Sequence, residues 1–275
     1  MTVAVSTPQT DLRAMTRDAV NRGKTHLVGV GGDGTHHHIL NALVESGRIS
    51  SVVYAPLSLG SGNDWVRTLG TPTSLLPWIV HLRAVATELH IIGQIDFLET
   101  GKTHYFLNVA GLAYDAEVVR IAAEERARSR WMYPLLAAAY LKEYQAPEVR
   151  IDYNDQAFTG QVHTINIGVG RYSGGGMSFV PHADPFGKQL ALTYAKRMPS
   201  WKVLANSWRF YTGSIGKVEE VTTAHTDSAL ITPVNGTIEC EADGEWLGQG
   251  AVRISYSTAR LTVVVPMGEG LQARP

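Results

Sequence analysis

The fold of this sequence is decided by residues 27–35, which read Leu27-Val28-Gly29-Val30-Gly31-Gly32-Asp33-Gly34-Thr35. An apolar run with two β-branched valines ends at paired glycines, and apolar residues at helical spacing follow at Ile39, Leu40, Ala42 and Leu43. This order predicts a strand, a tight turn and a helix. Glycines let the backbone approach an anion closely, and the first free N–H groups of a helix point at it. The stretch therefore predicts an anion-binding turn.

Asp33 points beyond simple anion binding. A carboxylate repels a neighbouring phosphate unless a metal ion or a proton transfer accounts for it, which favours phosphate chemistry over phosphate storage. Paired glycines and an Asp or Thr at a helix start are also ordinary turn and capping residues, so a purely structural role stays open. Gly29-x-Gly31-x-x-Gly34 fits the dinucleotide fingerprint, but the next predicted strand ends at Pro56 rather than at an acid, and the Walker A lysine is absent.

Length and composition set outer limits on the function. The chain has 275 residues, 44% of them hydrophobic, which predicts one large or two modest domains with a packed core. A net charge of −1 gives no electrostatic argument for a nucleic-acid partner or for a strongly anionic membrane surface. The single cysteine, Cys240, excludes an internal disulfide and fits a reducing compartment. With no apolar run of about 18 residues and no signal peptide, we predict a cytoplasmic protein without a transmembrane segment.

A second glycine-rich turn follows the next predicted strand, residues 51–55. It reads Pro56-Leu57-Ser58-Leu59-Gly60-Ser61-Gly62-Asn63-Asp64 and enters a helix that Gly70 would close. Two such turns after consecutive parallel strands place both loops at the carboxyl edge of one sheet, where open α/β folds bind ligands. The predicted helices of this part are residues 8–22 and 35–46.

Three consecutive histidines, His36-His37-His38, open the second of these helices. Consecutive helical positions point about 100° apart, whereas a shared metal ion wants a spacing such as i, i+4. We therefore reject a metal site here and keep the hypothesis that one of the three faces a nucleotide.

The chain beyond residue 88 is dominated by strand patterns. The predicted elements are strands at 89–98 and 104–109, helices at 115–128 and 131–144, a hairpin at 149–153 and 158–169, an amphipathic piece at 201–211, and short strands up to residue 265. The apolar helix at 131–144 either lines an acyl-chain cleft or packs in the core. We predict an N-terminal α/β layer and a mostly β second domain.

A late acidic stretch, residues 239–246, contains Asp243-Gly244 between two strand-like runs. Asp-Gly is the commonest hairpin signal, so a structural role stays open. Glu241, Asp243 and Glu245 alternate, and on one strand all three would project to one side. Phosphoryl transfer needs acids to hold magnesium and to take a proton from the acceptor hydroxyl.

With these three motifs the chain resembles the diacylglycerol kinase catalytic-domain family, the bacterial lipid kinases related to sphingosine kinases and more distantly to NAD kinases. The likeness runs from about residue 3 to residue 265. The matching residues are Gly31-Gly32-Asp33-Gly34-Thr35, Gly60-Ser61-Gly62-Asn63-Asp64-Trp65, Arg67, Leu69-Gly70, Ile95-Asp96, Phe106-Leu107-Asn108, Gly111, Asp115-Ala116, Tyr172-Ser173-Gly174-Gly175-Gly176-Met177, Pro181, Ala183 and Asp243-Gly244-Glu245.

The resemblance implies an α/β plus β fold. A Rossmann-like three-layer α/β nucleotide-binding domain would span residues 1–88, a β-sandwich substrate domain residues 89–265, and a C-terminal tail residues 266–275. The family's first βα unit, a strand with an Asn-Pro-x-Ser-Gly phosphate loop, is missing before the equivalent of Val3. Either the start of the sequence lies too late or part of the ATP site is lacking.

The resemblance also implies an activity and a site. The chain would be an ATP- and Mg²⁺-dependent kinase of phospholipid metabolism that phosphorylates a lipid hydroxyl, diacylglycerol or a sphingoid-like alcohol, at the membrane surface. Glu245 matches the family's proton acceptor, Asp243 lies beside it, and Asp33 organises magnesium, so that Asp33 and Asp243 are the implied metal ligands. The residues implied to surround ATP are Thr7, with Ser6 as its alternative, Gly31, Gly32, Asp33, Gly34, Thr35, His36, Gly60, Ser61, Gly62 and Asn63.

Two further departures from the family pattern matter. His38 stands where the family usually has a Glu three places after the motif's Thr, and Phe186-Gly187 replaces an Asp-Gly of the β-domain, so we predict no structural magnesium site there. The alternatives are a kinase of a soluble alcohol or an NAD-like substrate, and a catalytically impaired nucleotide- or lipid-binding relative. The sequence leaves a homodimer open.

Overall fold

The computed structural model describes residues 2–7, 10–84, 86–124, 140–141 and 143–266. The helices are α1 (Leu12–Asn21), α2 (Asp33–Glu45), α3 (Asp64–Leu69), α4 (Leu75–Ala84), α5 (Tyr114–Glu124), α6 (Ser200–Asn206) and α7 (Trp208–Thr212), with 3-10 turns at Ile49–Ser51 and Ile215–Lys217. The strands are β1 (His26–Gly31), β2 (Val53–Ser58), β3 (Ala86–Phe97), β4 (Thr103–Phe106), β5 (Val109–Ala113), β6 (Glu148–Tyr153), β7 (Gln156–Gly168), β8 (Leu190–Lys196), β9 (Val221–Thr226), β10 (Ser228–Pro233), β11 (Glu239–Ala242), β12 (Glu245–Gln249) and β13 (Val252–Val265).

The N-terminal part is an α/β layer built on parallel strands. β1 pairs in parallel with β2, and the last residues of the two strands, Gly31 and Ser58, are in register. β2 also pairs in parallel with the end of β13, so the last strand of the chain returns to the first sheet. Leu40, Leu43 and Trp65 pack in its core at 1% exposure or less, and full burial of one such side chain contributes about 1.5–3 kcal/mol.

The C-terminal part is sandwich-like. The long strand β7 pairs with β6 through its first half and with β5 and β8 through its second half, which joins two sets of antiparallel strands. β5 pairs in turn with β11, and β11 with β12, so the acidic hairpin lies next to the start of α5. Apolar residues of both sets form one core, with Ile151, Ile165 and Leu192 fully buried. The predicted α/β domain followed by a β-sandwich-like domain is confirmed, and the division at residue 88 stays a prediction.

Several predicted boundaries are wrong by a few residues, for local reasons. The first helix begins at Leu12 rather than at residue 8, because the Asp11 side chain accepts a hydrogen bond from the Arg13 N–H at 2.8 Å and caps it there. α2 begins at Asp33, two residues before the predicted start, because Gly32 takes the N-cap position. β2 continues through Pro56, whose carbonyl accepts a hydrogen bond from Trp78 Nε1 at 2.7 Å.

Two predicted helices fall partly outside the described residues. The helix predicted at 115–128 is seen as α5 up to Glu124, and of the apolar helix predicted at 131–144 residues 131–139 and 142 lie outside the described part. The amphipathic piece at 201–211 forms two short helices, α6 and α7. Across the residues that the structure describes, no helix combines the length and apolarity needed to span a membrane.

Candidate active site

A cleft of about 390 Å³ lies where the carboxyl ends of β1 and β2 face the turn between β11 and β12. It brings together both predicted glycine turns and the acidic hairpin, which are far apart in the sequence. The residues that line it are Gly32, Asp33, Gly34, His36, Gly60, Ser61, Gly62, Asp64, Trp65, Leu107, Asn108, Val109, Val119, Ser173, Gly174, Gly175, Asp243, Gly244 and Glu245.

The two glycine turns touch through their backbones. A Cβ on Gly60 would lie 2.6 Å from the Cα of Gly32, closer than real Cβ contacts come, and a Cβ on Gly32 would lie 3.3 Å from the Cα of Gly60. The Leu59 N–H donates to the Gly31 carbonyl at 2.7 Å and fixes one turn against the other. Glycine is therefore required at residue 60 by close approach, which the sequence pattern alone could not show.

We expect Gly60→Ala to push the two turns apart and to lower the free energy of unfolding by about 1–3 kcal/mol, as overpacking of a tight contact does. Urea denaturation measures this change. Ser61→Ala is the matched control, because it adds no volume in the same turn and should shift stability by less than about 0.5 kcal/mol. Equal stability of Gly60→Ala and wild type would show that the turns are not in contact in solution.

Asp33, which is distant in sequence from α3, caps the start of that helix. Its carboxylate accepts hydrogen bonds from the backbone N–H groups of Asp64 and Trp65, each at 3.3 Å. The residue before α3, Asn63, has a left-handed backbone and caps nothing, since its Oδ1 accepts from Ser58 Oγ at 2.7 Å. Burial, together with the nearby charge of Asp64, raises the pKa of Asp33 to about 6. A cation beside this pair of acids would relieve their repulsion.

Asp64 joins the cleft from the second turn, and the sequence pattern gave it no role beyond the motif. Its Oδ2 accepts a hydrogen bond from the Gly175 N–H at 2.7 Å, and its Oδ1 lies 3.8 Å from Arg67 Nε. The glycine-rich segment of the β-domain is thereby tied to the α/β layer across the cleft. An acid in the first turn of a helix is an ordinary capping signal, so the local sequence pattern does not predict the contact of Asp64 with Gly175.

The side chain of Asp243 is buried in the hairpin turn, at 4% exposure, and accepts three hydrogen bonds. Its Oδ1 accepts from the Asn108 N–H at 2.9 Å, and its Oδ2 accepts from the Leu107 N–H at 3.0 Å and lies 3.1 Å from His37 Nδ1. Asp243 and Gly244 both have left-handed backbones, with φ of 55° and 84°, as the tightest hairpin turns require. Asp243 thus locks the hairpin onto the connection between β4 and β5.

The prediction that Glu241, Asp243 and Glu245 project to one side of a single strand is wrong. Glu241 belongs to β11 and Glu245 to β12, and the chain reverses at the turn between them. Glu245 lines the cleft next to the first turn of α2, where a Cβ on Gly34 would overlap its Oε1. Glu241 is buried beneath the turn, and its Oε2 accepts the Gly244 N–H at 2.9 Å.

Asp115 is partly buried and lies close to Glu241. It accepts hydrogen bonds from Thr164 Oγ1 and, at 2.8 Å, from Asn166 Nδ2. Burial raises the pKa of Asp115 to about 6 and raises the pKa of Glu241 well above its ordinary range. A buried acid whose folded pKa exceeds its unfolded pKa holds its proton more tightly in the folded chain, so the folded state loses stability as the acid ionises.

For Asp115 the loss of stability is absent below pH 4, develops between pH 4 and 6, and is complete above pH 6. We expect the difference in unfolding free energy between Asp115→Asn and wild type to shift by about 1–3 kcal/mol in favour of the variant across that window. Urea denaturation at pH 4.5, 5.5 and 7.5 measures it. Exposed Asp155→Asn is the control and should show no such trend. A difference that is constant with pH would contradict the raised pKa.

The three histidines divide between core and cleft. His36 lines the cleft, is buried at 1% exposure, and lies 2.7 Å through its Nδ1 from Tyr54 Oη. Burial lowers its pKa to about 4, so the ring is neutral at pH 7. Its buried Nε2 has no hydrogen-bond partner within the described ranges. Of the other two, His37 contacts Asp243, and His38 is partly exposed.

The remaining predicted site residues are not among those that line the cleft. Gly31 ends β1, and the Thr35 side chain fills the space that a Cβ on Gly31 would need. Asn63 accepts from Ser58 as described, and Thr7 and Ser6 are exposed near the start of the chain.

The donors of the cleft fit a polyphosphate and a divalent cation. The N-terminus of α2 and the glycine backbones at 32, 34 and 60 offer hydrogen-bond donors to an anion. In the described part of the chain no group of three or more His, Cys, Asp or Glu side chains is arranged to hold a metal ion alone. Magnesium in kinase sites takes only one or two carboxylates and completes its coordination with phosphates and water, which Asp33 and Asp64 can supply with a bound nucleotide.

Two family sequence models match this chain. The sequence model of the YegS C-terminal NAD kinase beta sandwich-like domain matches residues 108–265, and that of the diacylglycerol kinase catalytic domain matches residues 1–95. A Pseudomonas aeruginosa protein named "Probable lipid kinase YegS-like" is 25% identical over 277 residues, which cover 100% of this chain and 88% of that protein. A diacylglycerol kinase of Staphylococcus saprophyticus is 26% identical over 164 residues, which cover 57% of this chain and 50% of that protein.

A solved structure supports the fold. The crystal structure of a diacylglycerol kinase from Bacillus anthracis superposes with a TM-score of 0.68 at 18% identity, over 94% of this chain and 83% of that one. At this identity the likeness shows the fold alone. The two family matches together cover most of the chain in the expected order, and the YegS C-terminal match, residues 108–265, covers more than half of it. The chain therefore belongs to the lipid kinase-like family in which a diacylglycerol kinase catalytic domain precedes a YegS C-terminal NAD kinase beta sandwich-like domain.

Proposed function

We propose that this chain is an ATP-dependent lipid kinase, which transfers the γ-phosphoryl group of ATP to a lipid hydroxyl. The observation that carries the proposal is the cleft in which two glycine turns and the N-terminus of α2 face Glu245. Phosphoryl transfer to an alcohol requires hydrogen-bond donors that hold the phosphates on one wall and a carboxylate on the other.

Each residue of the cleft has a distinct proposed role. The backbones of Gly32, Gly34 and Gly60 bind the phosphate oxygens, and His36 Nε2 donates a further hydrogen bond. Glu245 accepts the proton of the lipid hydroxyl as the hydroxyl oxygen bonds to the γ-phosphorus of ATP, and the bond from that phosphorus to the β–γ bridging oxygen breaks to release ADP. Mg²⁺ bound with ATP neutralises the phosphate charge.

Asp33 and Asp64 are the metal ligands that this arrangement favours. Asp243 was expected to be the second ligand beside Asp33, but it already uses three of about four acceptor sites on its carboxylate. We propose that it positions the Glu245 hairpin instead.

Phosphoryl transfer into lipids tests the proposal. The purified chain is incubated with γ-labelled ATP, Mg²⁺ and mixed vesicles that contain diacylglycerol, a sphingoid alcohol or neither, and labelled lipid is separated by thin-layer chromatography. We expect label in a lipid that carries a free hydroxyl. ATP binding without transfer to any lipid would favour the impaired relative, and transfer only to a soluble alcohol or an NAD-like acceptor would favour the other alternative.

A further inference from the structure

The helices α6 and α7 expose a row of large apolar side chains. Ser207, between the two helices, keeps a helical backbone with φ of −58° and ψ of −32°, so residues 200–212 run as nearly one helix. Trp201, Leu204, Trp208 and Tyr211 recur at i, i+3, i+7 and i+10, which places them on one face. Their exposures are 69%, 54%, 54% and 66%. We refer to these four residues as the α6–α7 stripe.

The opposite face of the same helices is already used for packing. Val203 and Phe210 line a small apolar cavity of about 40 Å³ against the β-sandwich. The Phe210 ring also packs on Phe179, with ring centroids 4.5 Å apart. The helix pair thus has its own core contacts, and the α6–α7 stripe is a second apolar face that folding leaves in water. Contiguous exposed apolar faces of this kind mark interaction sites.

The segment that carries the α6–α7 stripe has an excess of positive charge. Residues 196–217 contain five basic residues and no acidic one, and Glu219 and Glu220 follow, in a chain whose net charge is −1. Arg209 lies over the Trp208 ring at 4.7 Å, and Lys202 pairs with Glu220. Lys196 and Lys217 are exposed. Tryptophan and tyrosine on an apolar face with flanking cations suit the interface of a bilayer that contains anionic lipids.

A short path connects the α6–α7 stripe to the cleft. The Phe210 carbonyl in α7 accepts a hydrogen bond from the Ser178 N–H at 2.8 Å. Ser178 follows the glycine-rich segment, in which Gly175 lines the cleft and donates to Asp64 at 2.7 Å. A surface that holds α7 would therefore lie beside the wall of the cleft that the β-domain supplies.

We propose that the α6–α7 stripe docks this protein onto the surface of an anionic lipid bilayer. The inference deepens the proposed function, because a lipid substrate would reach the cleft from the same bilayer. Docking itself needs no phosphoryl transfer, so the two ideas can fail separately.

Sedimentation with large vesicles tests the docking. We expect the full chain to bind vesicles of phosphatidylcholine with 30% phosphatidylglycerol and to bind pure phosphatidylcholine more weakly. Its affinity for the anionic vesicles should fall as salt rises, because the Debye length shortens to about 10 Å at 0.1 M. The double variant Trp201→Ala with Trp208→Ala should bind the anionic vesicles with an affinity that is lower by about 10-fold or more. Lys217→Glu should weaken binding at low salt only. The control is Leu75→Ala with Leu76→Ala, which removes apolar side chains of 57% and 76% exposure from α4 and should bind as wild type does.

Three outcomes would overturn the docking. They are absence of wild-type binding to anionic vesicles, unchanged binding of the tryptophan variant, and a wild-type dimer that this variant converts to a monomer, since a second copy would then cover the stripe. Kinase assays separate the two proposals. Under docking, the tryptophan variant loses transfer to vesicle lipid and keeps transfer to a dispersed short-chain lipid. Vesicle binding by a chain that transfers no phosphate would contradict the proposed kinase activity and support the proposed docking.

Discussion

Asp243→Ala is expected to lower the free energy of unfolding by about 3–5 kcal/mol, the largest stability effect that we expect from a single residue of the cleft. The change leaves two buried backbone N–H groups, those of Leu107 and Asn108, without their acceptor. It also removes the contact of the carboxylate with buried His37. Each unpaired buried donor costs about 1–3 kcal/mol. An alanine at φ of 55° adds about 1 kcal/mol of backbone strain.

Urea denaturation followed by circular dichroism measures the effect of Asp243→Ala. Asp243→Asn should cost less, because asparagine keeps one oxygen acceptor and tolerates the left-handed region. The matched control is Asp155→Ala, in the exposed turn between β6 and β7, which should change stability by less than about 0.5 kcal/mol. A cost below about 1 kcal/mol for Asp243→Ala would mean that the hairpin is not held by its carboxylate.

The elements that the sequence predicted well are those whose signals are local. The strand, glycine turn and helix at 27–45 follow from adjacent residues, and Asp243-Gly244 forms the hairpin turn that this dipeptide favours. The register of the parallel strands, with Gly31 beside Ser58, then brings the two turns together as expected. Periodicity and turn chemistry carry this much information without any knowledge of tertiary contacts.

The contacts that the sequence could not predict join residues far apart in the chain. Asp33 caps a helix that begins 31 residues later, and Asp243 pairs with backbone groups 135 and 136 residues earlier. A capping or turn residue has the same local signature whether it bonds its own helix or another one, so pattern alone assigns it locally. The same reason hid the role of Asp64, whose partner Gly175 lies 111 residues away.

Glu245→Gln is expected to slow phosphoryl transfer by about 10²–10⁴-fold, because glutamine cannot accept the proton of the attacking hydroxyl. The substitution keeps the shape of a side chain that is only partly buried at the start of β12, so stability should change little. Single-turnover transfer to the lipid that wild type phosphorylates measures the rate, and fluorescent-nucleotide titration measures ATP binding, which should be retained.

Glu239→Gln is the matched control for Glu245→Gln, because it removes a carboxylate from the same hairpin at a position outside the cleft. Glu239 accepts from Trp246 Nε1 at 2.7 Å and lies 3.6 Å from Arg120, away from the lining of the cleft. Its transfer rate should stay within a factor of about three of wild type. A Glu245→Gln variant with the wild-type rate would remove Glu245 from the role of proton acceptor. A variant that lost ATP binding as well as transfer would assign this side chain to the nucleotide site instead, since a pure proton acceptor leaves ground-state binding unchanged.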